Sequence, residues 1–242
     1  MKLELLNVSF RYNNSSRYVL KNVSVRFEPF QLNVIIGLNG AGKTTLFDLI
    51  AGVLPRPEGF INVPSDEDIL YQLQSVPFLV TLKGRDIVKL LVNVDFRNRR
   101  KVRGPLITDS MDAREAELMK RLWNVKYGDM SIGERRWLLI TALCEMKRKL
   151  YLFDEPTSGI DPDSRIKIFR RLELLSRQKN CLVLVSSHNL HELEFVRCKL
   201  FLLHEGKIIF QGSYQDFLKG AGTDNPDIAF QRYVKTEVCE NA

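Results

Sequence analysis

Leu32-Asn33-Val34-Ile35-Ile36-Gly37-Leu38-Asn39-Gly40-Ala41-Gly42-Lys43-Thr44-Thr45-Leu46-Phe47-Asp48-Leu49-Ile50-Ala51-Gly52 is the stretch that decides the reading of this chain. Its first five residues read as a buried strand. Gly37 to Thr44 then fits the spacing G-x-x-x-x-G-K-[ST], and Thr45 to Gly52 reads as a helix closed by a C-terminal glycine. Strand, glycine-rich turn and helix in that order make a phosphate-binding loop. The glycines let several backbone N–H groups point at α- and β-phosphates, Lys43 reaches the β/γ-phosphates, and the Thr44 hydroxyl can ligate Mg²⁺.

Upstream, two alternating segments, Lys2 to Phe10 and Leu20 to Phe27, flank the polar Asn13-Asn14-Ser15-Ser16, which predicts a hairpin and an antiparallel layer ahead of the loop. Downstream, Pro55, Pro57, Gly59, Pro64 and Ser65 read as turns, followed by a short strand from Asp68 to Leu73. Between about residues 82 and 130 charge rises and apolar residues fall at helical spacing (Ile87, Leu90, Leu91; Ala116, Leu118, Met119, Leu122), which predicts a helical insertion. Apolar strands return at Leu150 to Phe153, Cys181 to Ser186 and Leu200 to Leu203, alternating with helical segments at 134 to 147, 161 to 178 and 189 to 196, the pattern of a parallel α/β sheet. Gly206 opens a last hairpin into Lys207 to Phe210, and one helix is expected in the tail around Ile228 to Lys235.

Three of these strands end in chemistry. Leu150 to Phe153 runs into Asp154 and Glu155, at the sheet edge where α/β folds bind ligands; Asp154 can hold Mg²⁺ there and Glu155 can orient or deprotonate a water. Cys181 to Ser187 runs into His188, which reaches the same edge. Asp161, before Pro162, fits a helix N-cap with proline in the first turn. His188, His191 and Glu192 match no metalloprotease spacing, and a metal other than Mg²⁺ is not expected.

The ordered set of Gly37 to Thr45, Met130-Ser131-Ile132-Gly133-Glu134-Arg135-Arg136, Asp154-Glu155-Pro156-Thr157-Ser158-Gly159-Ile160-Asp161 and Ser187-His188 resembles the ATP-binding cassette (ABC) ATPases, over about Lys2 to Gly220. The resemblance implies an α/β P-loop NTPase core with a parallel sheet, an N-terminal antiparallel β sub-domain and a small helical sub-domain, in a domain spanning residues 1–220 with a short tail at 221–242. It implies that Gly37, Asn39, Gly40, Ala41, Gly42, Lys43, Thr44 and Thr45 bind the phosphates of ATP. Thr44, Asp154 and Gln74 would serve the Mg²⁺ ion, Glu155 would be the catalytic carboxylate, His188 the switch histidine and Tyr12 the adenine-stacking aromatic. Tyr71-Gln72-Leu73-Gln74 offers two glutamines: the family's Tyr-x-x-Gln spacing selects Gln74, while a short following loop keeps Gln72 open. Ser131 and Gly133 would meet the γ-phosphate of ATP held by a second subunit, with Asp161 at the seam. The signature departs from Leu-Ser-Gly-Gly-Gln at Ile132, which restricts backbone approach, and at Glu134, a carboxylate unfavourable near an anionic ligand unless Arg135 or Arg136 offsets it, so a weakened or unusually tuned site is expected.

Composition sets the bounds around this reading. The chain has 242 residues, 45% hydrophobic and 27% charged, enough for one large domain, and no apolar run approaches the ~18 residues of a spanning helix. It is therefore expected neither to cross a membrane nor to enter a secretory path by itself. Cys144, Cys181, Cys198 and Cys239 form no C-x-x-C pair and read as thiols in a reducing cytosol. The net charge is +7, but the densest basic block, Arg97 to Arg103, has only Phe96 beside it for stacking, which favours a solvated or lipid-facing patch over nucleic acid.

These readings lead to an ATPase subunit, cytoplasmic and peripheral on the inner membrane face, working as a homodimer or heterodimer with transmembrane permease subunits. The expected cargo is an exported peptide, antibiotic or lipid. The alternatives at this level are a soluble ABC ATPase acting on nucleic acid or ribosomes, and a low-turnover regulatory module.

Overall fold

A computed structural model describes residues 2–13, 15–73, 78–95, 97, 101–178 and 181–240. The loop-bearing strand is β3, Leu32–Ile36, every residue of it buried. It lies at the centre of a six-stranded sheet with β5 (Ile69–Gln72), β6 (Leu150–Asp154), β7 (Leu182–Ser187), β8 (Cys198–His204) and β9 (Lys207–Ser213), in the spatial order β5-β6-β7-β3-β8-β9. All neighbours are parallel except β8 and β9, which form the expected hairpin.

The central strands are apolar on both faces because both faces are covered. Ile35, Leu152, Leu184 and Phe201 face one core, shared with α1 (Lys43–Ile50), β1 (Leu3–Phe10) and β2 (Leu20–Phe27). Val34, Phe153, Val185 and Leu200 face the other, shared with α4 (Ile132–Cys144) and α5 (Pro162–Ser176). Asn33, a polar residue inside β3, is buried at no cost in hydrogen bonds: its Nδ2 donates to the carbonyls of Glu28 (2.9 Å), Gln31 (3.1 Å) and Val183 (3.3 Å). The helical insertion supplies α2 (Gly84–Val94) and α3 (Ala113–Leu122). Its α2 end is tied to the core where Asp95 accepts from Arg148 at 2.9 Å on both carboxylate oxygens.

Two elements differ from the sequence reading. Glu58–Asn62, expected as turn, is strand β4, which pairs with β1 and completes a three-stranded antiparallel sheet β2-β1-β4. Gly59 hides it, because a glycine and two flanking prolines read as punctuation. Here Gly59 has φ +88°, and a Cβ on it would lie 2.4 Å from the Asn7 carbonyl oxygen, so the register irregularity against β1 requires glycine. The second is α6 (Tyr214–Ala221), passed over because Gly220 weakens its helix propensity; its N-terminus is marked by Ser213, whose Oγ accepts from the Asp216 N–H at 3.0 Å.

Helix α7 (Pro226–Glu240) packs back on this hairpin region, with Phe217 fully buried between Phe210 (centroids 5.3 Å, edge-on) and Tyr233 (5.0 Å, stacked). Removing that ring leaves a void that the β9–α6–α7 corner cannot refill. Phe217→Ala should lower unfolding free energy by about 3–5 kcal/mol in urea titrations; a loss below about 1 kcal/mol would mean that the corner is dispensable to the fold.

Candidate functional site

The C-terminal ends of β3, β6 and β7 lie side by side, with Ile36 opposite Ser187 and Asp154 opposite Ser186. Residues 37–42 curl over this edge into α1. Gly42 caps α1 with φ +106°, a left-handed conformation, and has no side chain to occupy the first-turn N–H groups. Those amides and the positive end of the helix therefore face an open cavity of about 600 Å³, lined by Asn39, Gly40, Gly42, Lys43, Thr44 and Thr45 from the loop and by Val19, Glu155, Ser158 and His188.

Lys43 is 5% exposed, and a buried ammonium needs partners. Its Nζ donates to the carbonyls of Gly37 (2.7 Å) and Leu38 (3.2 Å) and pairs with Glu155 Oε1 at 3.2 Å. The other oxygen of Glu155 meets His188 Nδ1 at 3.2 Å, so the carboxylate bridges the lysine and the histidine. Glu155 itself sits at φ +45°, strained for a residue with a Cβ. Next to it Asp154 accepts a hydrogen bond from the Thr44 hydroxyl on Oδ2 at 2.8 Å and one from the Ser186 hydroxyl on Oδ1. Tyr12 stands at the rim, 42% exposed, its hydroxyl 3.0 Å from Thr45 Oγ1 and its ring edge-on to Phe10.

Gly37 and Ala41 shape the loop without lining the cavity: a Cβ on Gly37 would lie 2.4 Å from the Leu203 carbonyl oxygen and 3.1 Å from the Ala41 Cβ. Ser131, Gly133 and Asp161 are gathered elsewhere. Ser131 caps α4 by accepting from the Glu134 N–H (3.1 Å), Asp161 caps α5 by accepting from the Ser164 N–H (2.9 Å), and a Cβ on Gly133 would come within 2.9 Å of Asp161 Oδ2. The two helix starts thus form one patch, with Ile132 62% exposed beside it.

The charge of Glu134 is not offset by Arg135, which donates to the Gly128 carbonyl and lies over the Tyr127 ring. Its partner is Arg121 of α3. Burial alone would raise the Glu134 carboxyl, but Arg121 and the Ser131 N–H outweigh it and hold it below the ordinary carboxylate value. Gln74 lies outside the described residues. Gln72 ends β5 beside Phe153, buried, its Oε1 without a hydrogen bond among the described residues.

Sequence reasoning missed Ser186 and the setting of Glu192. Glu192 is buried, accepting from Thr157 Oγ1 (2.9 Å), Asn189 Nδ2 (3.2 Å) and Ser187 Oγ (3.4 Å), with Arg165 at 3.5 Å; it joins the segment after Glu155 to the one around His188. His191 points away to Asp227, 3.0 Å distant, so the two are no metal pair.

A family model described as ABC transporter matches residues 20–158, more than half of the chain and all of the loop and both carboxylates. The chain belongs to the ABC transporter family. It is 31% identical over 233 residues to the energy-coupling factor transporter ATP-binding protein EcfA1 of Thermotoga maritima, covering 90% of this chain and 85% of that protein. It is 29% identical over 213 residues to the lipopolysaccharide export system ATP-binding protein LptB of Escherichia coli K12, covering 84% and 88%. Its fold matches a dimeric ATP-binding cassette solved with ADP and Pi, with a TM-score of 0.64 at 21% identity over 88% of this chain and 98% of that one. The α/β architecture with its antiparallel sub-sheet is accordingly that of an ABC ATPase, and the protein is an ATP-binding ATPase subunit of the transporter type.

In this ABC ATPase, burial pushes the Glu192 carboxyl above its ordinary value, against the hydrogen bond from Thr157 and the charge of Arg165. A carboxyl raised by folding holds its proton better in the fold than in the unfolded chain, so its contribution is intact below the unfolded value and lost as pH rises through the folded one. Urea unfolding of wild type and Glu192→Gln between about pH 4 and pH 8 should show the wild type losing stability relative to the variant as pH rises. Parallel curves would mean that Glu192 pays no ionisation cost in the fold.

Proposed function

We propose that this ABC ATPase hydrolyses ATP at two sites shared with a second copy or a homologous cassette, and that this drives export of a peptide, antibiotic or lipid-like cargo through separate membrane subunits. The observation that carries the reading is a division of labour. Lys43, Thr44, Glu155 and His188 line one cavity, with Asp154 bonded to Thr44 behind it, while Ser131, Gly133 and Asp161 form a patch that lines none of it. A site with cradle, base and histidine but no signature group of its own is completed by another subunit's patch.

Within that cavity the adenine would lie on Tyr12, and the loop N–H groups and Lys43 would take the phosphates. Thr44 Oγ1 and Asp154 Oδ2, already 2.8 Å apart, are hard oxygen donors that suit Mg²⁺, with Gln74 as the third candidate. When bound, Mg²⁺ supplies charge neutralisation at the β- and γ-phosphates. The γ-phosphate would replace Glu155 between Lys43 and His188, leaving the Glu155 carboxylate to accept a proton from the attacking water while His188 holds the γ-phosphate.

Export is the direction that LptB's printed role supports, and the permease would dock on the insertion following Gln74, where Leu79, Val80 and Leu90 are exposed. The ATPase would thereby sit at the cytoplasmic face of the membrane. Among the described residues no helix is long and apolar enough to cross a bilayer.

Lys43→Ala should weaken ATP binding by roughly 10- to 100-fold in calorimetric titration, from loss of one charged hydrogen-bond donor; an unchanged dissociation constant would remove Lys43 from the site. Glu155→Gln should lose roughly 10²- to 10⁴-fold in turnover while still binding ATP, and should elute as a dimer with Mg-ATP, alone or with its partner cassette. Wild-type turnover in that variant would overturn its role as base. A monomer that still binds ATP, even with the partner present, would overturn the shared site.

A further inference from the structure

We propose that Ser186 is a positioning residue for ATP hydrolysis, its one hydroxyl holding both the metal-facing carboxylate and the catalytic carboxylate in working geometry. The proposal rests on the assignment of Asp154 and Glu155 above. Ser186 is fully buried in β7, where the preceding residues Leu182, Val183, Leu184 and Val185 are all apolar. A small apolar side chain would fill that place in the strand equally well, and the ladder with β6 uses only the backbone.

The direction of its hydrogen bonds is forced by chemistry. The Glu155 N–H, 2.9 Å from Ser186 Oγ, can only donate, so Oγ accepts there. The hydroxyl proton is then left for Asp154 Oδ1, an acceptor. One oxygen therefore joins the two acids, in register because Ser186 lies opposite Asp154 in the parallel pair.

Each bond has its own consequence. On Asp154, Ser186 holds Oδ1 while the Thr44 hydroxyl holds Oδ2, which fixes the plane of the carboxylate and keeps Oδ2 turned to the loop. On Glu155, the anchored N–H supports the left-handed backbone at φ +45°, and that turn brings the carboxylate between Lys43 and His188. Without the hydroxyl, Asp154 turns more freely about its side-chain bonds, and the N–H of a strained residue loses the acceptor that Ser186 supplies.

The test compares Ser186→Thr with Ser186→Val, which have nearly the same shape and differ in the hydroxyl, alongside Ser186→Ala and Asp154→Asn. Mn²⁺ binding is read by electron paramagnetic resonance in the presence of a non-hydrolysable ATP analogue, with steady-state ATPase rates and metal-free analogue affinity measured in parallel. Ser186→Val and Ser186→Ala should weaken Mn²⁺ binding by about 10- to 100-fold and lower kcat by a similar factor, with analogue affinity in EDTA within about twofold of wild type. Ser186→Thr should recover both Mn²⁺ affinity and kcat to within about threefold.

Equal Mn²⁺ affinity and kcat in the Val and Thr variants, while Asp154→Asn loses Mn²⁺, would overturn the role of Ser186 and leave the site reading standing. Wild-type Mn²⁺ affinity in Asp154→Asn would overturn the site reading and this proposal with it. Should the branched variants fail to fold, Ser186→Ala decides: a lower melting temperature with wild-type Mn²⁺ affinity and turnover assigns Ser186 to packing alone.

Discussion

The buried ammonium of Lys43 is the constraint from which the rest of the site follows. A lysine at 5% exposure must be paired, and three oxygens meet it: two carbonyls of its own loop and one carboxylate from a strand end more than a hundred residues away. The loop supplies its carbonyls only because Gly42 adopts a conformation closed to other residues, and the strand supplies the carboxylate only because Glu155 is held at positive φ. The same carboxylate reaches His188, so one anion ties the ends of β3, β6 and β7 into a single electrostatic unit. Its geometry is that of a phosphate site holding its own carboxylate.

That unit needs three strands in adjacent, parallel register, and the two hydrophobic cores provide it. Alternate residues of β3, β6, β7 and β8 face opposite cores, one closed by α1 and the antiparallel sheet, the other by α4 and α5. Of these layers only the first turn of α1 enters the site, with Lys43 and Thr44, yet a slip of one residue in any strand would exchange the side chains facing the two cores and carry its terminal acid or histidine off the edge. Core packing and site geometry are for this reason the same requirement. The patch of Ser131, Gly133 and Asp161 is held in another way, by capping of two neighbouring helices, and the pairing of Glu134 with Arg121 makes the signature turn self-sufficient within the chain.

Much of this was legible in the sequence, for physical reasons that also mark where legibility stopped. The central strands stood out because burial on both faces demands unbroken apolar runs, and the loop because phosphate chemistry demands glycines and a lysine at set spacing. Strand β4 was hidden because only tertiary contact shows that Gly59 is a bulge against Asn7 rather than a turn. Ser186 was hidden because a serine in an apolar run carries no mark of its partner; its register opposite Asp154 is the one signal, and that exists only once the strand order is known. Arg121, thirteen positions before Glu134, was passed over in favour of adjacent arginines, since helix packing rather than sequence proximity decides that pair.

In the proposed function Thr44 and Asp154, 110 positions apart, face one metal ion on one nucleotide. The most direct measurement is affinity cleavage: Fe²⁺ replaces Mg²⁺ with ATP bound, ascorbate and peroxide generate radicals at the metal, and the cut sites are read by mass spectrometry. Cleavage at both Thr44 and Asp154, dependent on ATP and suppressed by excess Mg²⁺, is the predicted result. Cuts confined to other segments, such as that around Leu106 and Thr108 beside a separate cavity, would contradict it.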